Sequence, residues 1–186
     1  LIQEGLLTLK EPVEGLTRFT PDLVDWERTV AWSWGGYYGR LFMNVEGREP
    51  QGIVAKADYE RVRDDLIARI KAIKDHHGRT MDSQVLRPQE IYTGAHVDDA
   101  PDLMIYLDDL NWRLGQDVGN SALHTFDTEI GPDDSVHDYC GMIAARLPGE
   151  RQLTIREGTH VMDVAPTVLE ILGEPIPDHM EGRSLL

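Results

Sequence analysis

Apolar residues recur at helical spacing most clearly over residues 58–77. Val62, Leu66, Ile70 and Ile73 share one face there, with Asp58 at the cap position and Gly78 at the stop. The opposite face mixes both signs of charge, the pattern of a solvated surface. A shorter helix is predicted after Asp163. That carboxylate is placed to accept a first-turn backbone N–H, and Pro166 falls where a missing N–H costs nothing. Val164, Val168, Ile171 and Leu172 form its apolar face, Gly173 supplies a left-handed stop, and Pro175 forbids continuation.

Elsewhere the pattern is extended. Residues 26–44 are rich in aromatic and β-branched side chains around Gly35-Gly36, which predicts extended structure with a turn and a strand over 40–45. Residues 103–107 follow Ala100-Pro101-Asp102 and read as a buried strand. Residues 141–147 and 152–155 read as a pair of strands around Pro148-Gly149. Residues 1–9 resemble a helix end running into an extended segment, and 11–25 a loop or lid. Residues 84–102 are loop-like around a short helix starting at Pro88, and 115–134 are rich in Gly, Asn and Asp. Strands interleaved with helices predict an α/β domain, a layered mixed sheet with flanking helices. No internal repeat is visible.

At 186 residues and 41% hydrophobic, the chain can build one sizeable core. Its net charge of -15, from 33 acidic and 18 basic residues, narrows the field of partners. Such a chain repels nucleic acid and anionic membrane, so neither is expected to bind. An anionic substrate would need a metal ion to offset the field at its site. Cys140 has no second cysteine to pair with, which fits a reducing, cytoplasmic setting. Apolar runs are too short for a membrane helix, and no basic-then-apolar leader argues for secretion. A start at Leu1 reads as a processed product or a piece of a longer protein.

Asp163-x-x-Pro166-Thr167-x-Leu169-x-x-Leu172-Gly173, then a Pro-rich turn and Gly182-Arg183-Ser184-Leu185, resembles a known closing segment. It is the end of the catalytic domain in the alkaline phosphatase superfamily, in the branch of type I phosphodiesterases and nucleotide pyrophosphatases. Further blocks are similar to predicted phosphodiesterases of that superfamily. They are Asp25-Trp26, Thr29, Ala31-Trp32, the run from Gly39 to Val54, and Tyr59-Glu60 with Arg63 and Leu66. Ala100-Pro101-Asp102-Leu103, and His137 with Gly141 and Pro148-Gly149, complete the set. The resemblance covers nearly all of residues 1–186 as a single portion of the domain, its C-terminal half, with 25–100 as a cap-like insertion. It implies an alkaline phosphatase-like fold, a small-molecule phosphate-ester substrate, and two divalent metal ions, zinc or manganese. It also implies that His137 is the last metal ligand in the chain, and that the N-terminal half of the same domain supplies the others.

Taken without the resemblance, His137 is a lone histidine in a polar loop before the strand expected at Gly141. Such a ring can offer one nitrogen to a metal while a neighbour fixes its tautomer, and an ordinary surface histidine is the plainer alternative. His137 and Cys140 form a His-x-x-Cys pair, but structural zinc needs four ligands, so Cys140 reads as a small core residue. His76 and His77 suit a helix C-terminus. His124, His160 and His179 lack ligand-like neighbours, and His96 near Asp98 and Asp99 reads as exposed loop charge. The pairs Asp64-Asp65, Asp108-Asp109 and Asp133-Asp134 read as solvated. The Asp-His-Gly signature of the superfamily is absent: Asp75-His76-His77-Gly78 is interrupted, and Asp178-His179 is followed by Met180. No phosphate-binding Gly-rich loop, nucleophile elbow or His-Glu-x-x-His helix occurs. No catalytic residue is therefore assigned, and His137 stands as the single metal-ligand candidate.

These features lead to the C-terminal part of a metal-dependent phosphodiesterase or nucleotide pyrophosphatase-like hydrolase, inactive and without stably bound metal as an isolated piece. The alternative is a non-catalytic interaction or scaffold domain; phosphoglycerate mutase-like transfer within the same superfamily is a third reading. A divided α/β domain presents open strand edges, so self-association as a homodimer is expected.

Overall fold

The aromatic run after Trp26 folds back on itself at Gly35 and Gly39, which lie opposite each other across a hairpin. A Cβ on Gly35 would meet the Tyr38 carbonyl oxygen at 2.5 Å, so that position excludes a side chain, whereas one on Gly39 would displace the end of the Leu114 side chain. The computed structural model describes residues 1–126, 137–147, 149 and 151–186. They fall into two units, Leu1–His137 and Asp138–Leu186.

The first unit begins with the two-residue strand β1 (Thr17–Arg18). The hairpin strands are β2 (Ala31–Gly35) and β3 (Gly39–Met43). Helix α1 (Tyr59–Lys71) follows, then β4 (Gln84–Leu86), the single turn α2 (Pro88–Ile91), β5 (Leu103–Tyr106) and β6 (Asp117–Val118). The main sheet runs β2-β3-β5-β4 with every neighbour antiparallel, and β1 pairs with β6 in a second, two-stranded sheet. The α/β character expected from the sequence is present. Alternate sheet residues Ala31, Leu41, Met43, Leu103, Ile105 and Val85 form one core with Leu66 and Ile70 of α1. That face of the sheet is sealed by a single helix.

Element limits depart from the pattern in four places. The long helix stops at Lys71, six residues short of His77, because the Asp75 carboxylate takes the backbone N–H groups of His77 and Arg79 in a turn. Asp58 does not cap it; its carboxylate pairs with Arg61 at 2.8 Å. β4 sits in a stretch read as loop, since three residues are too few to display alternation. Residues 1–9 form turns rather than a helix end, with the Leu6 carbonyl accepting from Val30 and Ala31.

The second unit carries one helix, α3 (Val164–Leu172), entered through a 3-10 turn at Val161–Asp163. Gly173 closes it at φ 74, the left-handed stop expected there. The strand pair read at 141–147 and 152–155 is absent among the described residues, where both stretches lack regular structure. Two short runs without a third strand are marginal as a sheet, and Met142 is 96% exposed. The apolar face of α3 is likewise uncovered: Val164, Val168 and Leu172 are exposed, whereas Pro166 and Thr167 are buried.

Candidate functional site

The hairpin turn that requires Gly35 also lies beside the one metal-ligand candidate. Tyr37 lies in this turn, which is pinned where Leu114 donates its N–H to the Gly36 carbonyl at 2.9 Å. The ring of Tyr37 packs against that of His137, centroids 3.8 Å apart and tilted by 60°. His137 is exposed and the preceding loop, with Asp133-Asp134, lies outside the described residues. Among the described residues no group of three His, Cys, Asp or Glu side chains converges so as to hold a metal ion. A two-ion centre therefore does not fit the described donors, and no chemical step can be drawn through one here.

Other sequence candidates are dispersed. Cys140 is exposed and stands in no strand, so its reading as a core residue is corrected. The His96 ring pairs with Asp99 at 2.9 Å, both exposed. Asp64 pairs with Arg87, Asp65 with Arg69, and Asp108 accepts the Asp82 N–H. His76 lies not on the helix but beyond it, in a ring cluster with His77, Trp112 and Phe126, and Trp112 also touches His124. His160 accepts the Met162 N–H at its Nδ1.

The strongest polar construction was noticed in the sequence only as part of a family block. Asp102, 2% exposed, precedes β5 and accepts the Met43 N–H at 2.6 Å, tying β3 to β5 beyond their ladder. Arg48 grips it with two parallel bonds of 2.7 Å, and the Tyr59 hydroxyl donates to it at 2.5 Å. A buried carboxylate is tolerable only when paired and multiply bonded, as this one is. The hydrogen bond to Asp102 holds the proton of Arg48 more tightly than usual, against the effect of burial. Burial, then the bond to Asp102, raises the Tyr59 phenol to about 12. Arg63, 5% exposed, stands behind Tyr59, with its guanidinium 4.9 Å from the ring centre and bonded to Glu60.

The closing motif is a second buried knot. Asp163 accepts from the His160 and Arg183 backbone N–H groups, each at 2.8 Å, instead of capping α3. These bonds hold its carboxyl below the usual range, that of Arg183 contributing most. Thr167 donates to the Asp163 carbonyl and accepts the Leu185 N–H at 3.0 Å. A Cβ on Gly182 would overlap the Met162 carbonyl, so the segment through Arg183-Ser184-Leu185 needs glycine to lie against the 3-10 turn. Asp, Pro, Thr and the Gly-Arg-Ser-Leu segment are thus one clasp, structural rather than chemical, as the plain helix-packing reading expects.

No protein-family model matches the chain, and no solved structure does. Curated relatives do match, over part of it. The chain is 53% identical over 77 residues to a 2,3-bisphosphoglycerate-independent phosphoglycerate mutase of Pseudomonas syringae pv. tomato, covering 37% of this chain and 15% of that protein. The mutase of Pseudomonas syringae pv. syringae is 39% identical over 77 residues with the same coverage. That of Thermomicrobium roseum is 53% identical over 36 residues, 19% of this chain and 7% of the relative. The matched segments thus span well under a quarter of the relatives' length. Part of this chain is similar to phosphoglycerate mutases, enzymes of the alkaline phosphatase superfamily.

Proposed function

We propose that this chain is the C-terminal part of a metal-dependent phosphoryl-transfer enzyme of the alkaline phosphatase superfamily, acting on a small phosphate ester. The observation that carries this is the 53% identity over 77 residues to a phosphoglycerate mutase. His137 would donate one imidazole nitrogen to one of two divalent ions, zinc or manganese, and its exposed ring beside Tyr37 leaves a nitrogen accessible. The remaining donors and the nucleophile belong to the N-terminal half of the domain, so the chain alone is silent.

Two chemistries remain within that class. The closing motif and the blocks around it resemble the phosphodiesterase and nucleotide pyrophosphatase branch, which favours hydrolysis of a phosphodiester. The names of the relatives favour transfer of a phosphoryl group between positions of a phosphoglycerate. Joining the chain to its N-terminal half and assaying an aryl phosphodiester beside 3-phosphoglycerate separates them. Turnover of either, lost in His137→Ala together with bound metal, supports the assignment. Full metal occupancy and activity in His137→Ala removes His137 from it, and turnover of neither substrate class removes the function.

A further inference from the structure

The Asp102 knot borders a cavity of about 250 Å³, also lined by Gln89 and Asp98 and floored by Val97, Ala100 and Pro101. We propose that this cavity binds one neutral polyhydroxyl ligand of sugar-ring size, a hexose or six-carbon polyol. The inference does not rest on the phosphoryl-transfer reading.

Size sets the first limit. Sites for drug-sized ligands span about 300–1,000 Å³, so this one admits a single small ring. Its unused polar groups set the second. Arg48 has five N–H groups; Nε bonds Glu49, one Nη1 N–H bonds Asp102, and Nη2 bonds Asp102 and the Met43 carbonyl. One Nη1 N–H is left over. The Gln89 Oε1 accepts from Arg63 at 3.4 Å, which turns the amide so that its Nε2 is a donor without a partner among the described residues. The Asp98 carboxylate has no hydrogen-bond or ion-pair partner among the described residues and is a free acceptor. The lining thus offers donors and an acceptor around an apolar floor. A hydroxyl gives one hydrogen bond and takes two, so a polyol satisfies both kinds of group while its C–H edges meet Val97, Ala100 and Pro101.

Charge and hydrogen-bonding capacity weigh against the other classes. An anion would meet two carboxylates, Asp98 and Asp102, and an arginine whose charge Asp102 and Glu49 already balance at 2.7 and 3.0 Å. The net charge of -15 adds to that repulsion. A cation would find Asp98 as its one unengaged carboxylate, since Asp102 already serves Arg48, Tyr59 and the Met43 N–H, and it could not accept from the N–H groups that Arg48 and Gln89 leave over.

Two-dimensional NMR of the isotope-labelled chain, titrated with glucose, mannitol, glucose 6-phosphate and glucosamine, tests the proposal. Glucose or mannitol should shift the Gln89 side-chain amide and the Ala100 N–H saturably. Gln89→Leu and Asp98→Ala should each weaken that binding about tenfold. Both residues are exposed, and the spectrum of each variant reports whether the fold is kept. No saturation by about 100 mM sugar would overturn the site, as would binding unchanged in both variants. Tighter binding of glucose 6-phosphate would replace it with an anion site, and tighter binding of glucosamine with a cation site.

Discussion

Asp102 carries more of the first unit than any local pattern announces. It gathers a backbone N–H, a guanidinium and a phenol, from partners up to 59 residues away in sequence. Removing a buried acceptor leaves its buried donors unsatisfied. Arg48 is 38% exposed and keeps Glu49, so Asp102→Ala chiefly strands the Met43 N–H and the Tyr59 hydroxyl and should cost about 1–3 kcal/mol in urea unfolding. The same substitution should bring the Tyr59 phenol back toward its ordinary value, read as phenolate absorbance against pH. The sign is fixed by the raised value. Tyr59 contributes stability in full below pH 10 and loses it as pH climbs through about 12, so Tyr59→Phe should lower stability at neutral pH and flatten its fall between about pH 10 and 12. In the sequence, Ala-Pro-Asp-Leu looks like a turn before a strand, and no spacing rule links it to Arg48 or Tyr59. His137 stands as a candidate only through its likeness to a family, because a lone imidazole has no local signature.

Helices and strands were legible where they were long or bounded by strong punctuation. The β2–β3 hairpin, β5 and the start and end of α3 follow from aromatic alternation, apolar run and glycine stop. The α1 limit was missed because a side chain, Asp75, outcompeted the helix for two backbone donors. After β5 the backbone turns through Asp108, Asp109 and Leu110, all with φ between 48 and 65. Three consecutive left-handed residues with side chains are costly, by roughly 1–2 kcal/mol each. Asp109 is exposed, so Asp109→Gly should raise stability by about 0.5–1 kcal/mol, measured as a higher urea midpoint at unchanged slope. In the second unit the prediction concerns acid. Asp163 is held below its ordinary value, so its contribution is present above about pH 4 and is lost as pH falls through the depressed value. Asp163→Asn should flatten that acid limb, monitored by amide exchange at Arg183 and His160.

At the scale of the molecule, the fold class was legible because helical and extended patterns interleave. No helix among the described residues is long and apolar enough to cross a membrane. The row Val164, Val168 and Leu172, at 38, 46 and 68% exposure, is an apolar stripe left in water. Each buried Å² of such surface contributes about 25 cal/mol, which favours pairing of two copies through it. Sedimentation of the 21.0 kDa chain at micromolar concentration should therefore report a mass above the monomer. Val168→Glu with Leu172→Glu should return it to the monomer, and an unaltered profile would place the contact elsewhere.

The clasp between Asp163, Thr167 and Arg183 to Leu185 has a consequence for proteolysis. It bridges 18 to 20 residues, and between its halves runs the exposed stretch Glu174-Pro175-Ile176-Pro177. While that tether is whole, the tail refinds its seat at the high local concentration of a short loop. A nick there would make the same rendezvous bimolecular. The severed peptide would drift off on dilution, and a synthetic copy added in excess should restore the lost order.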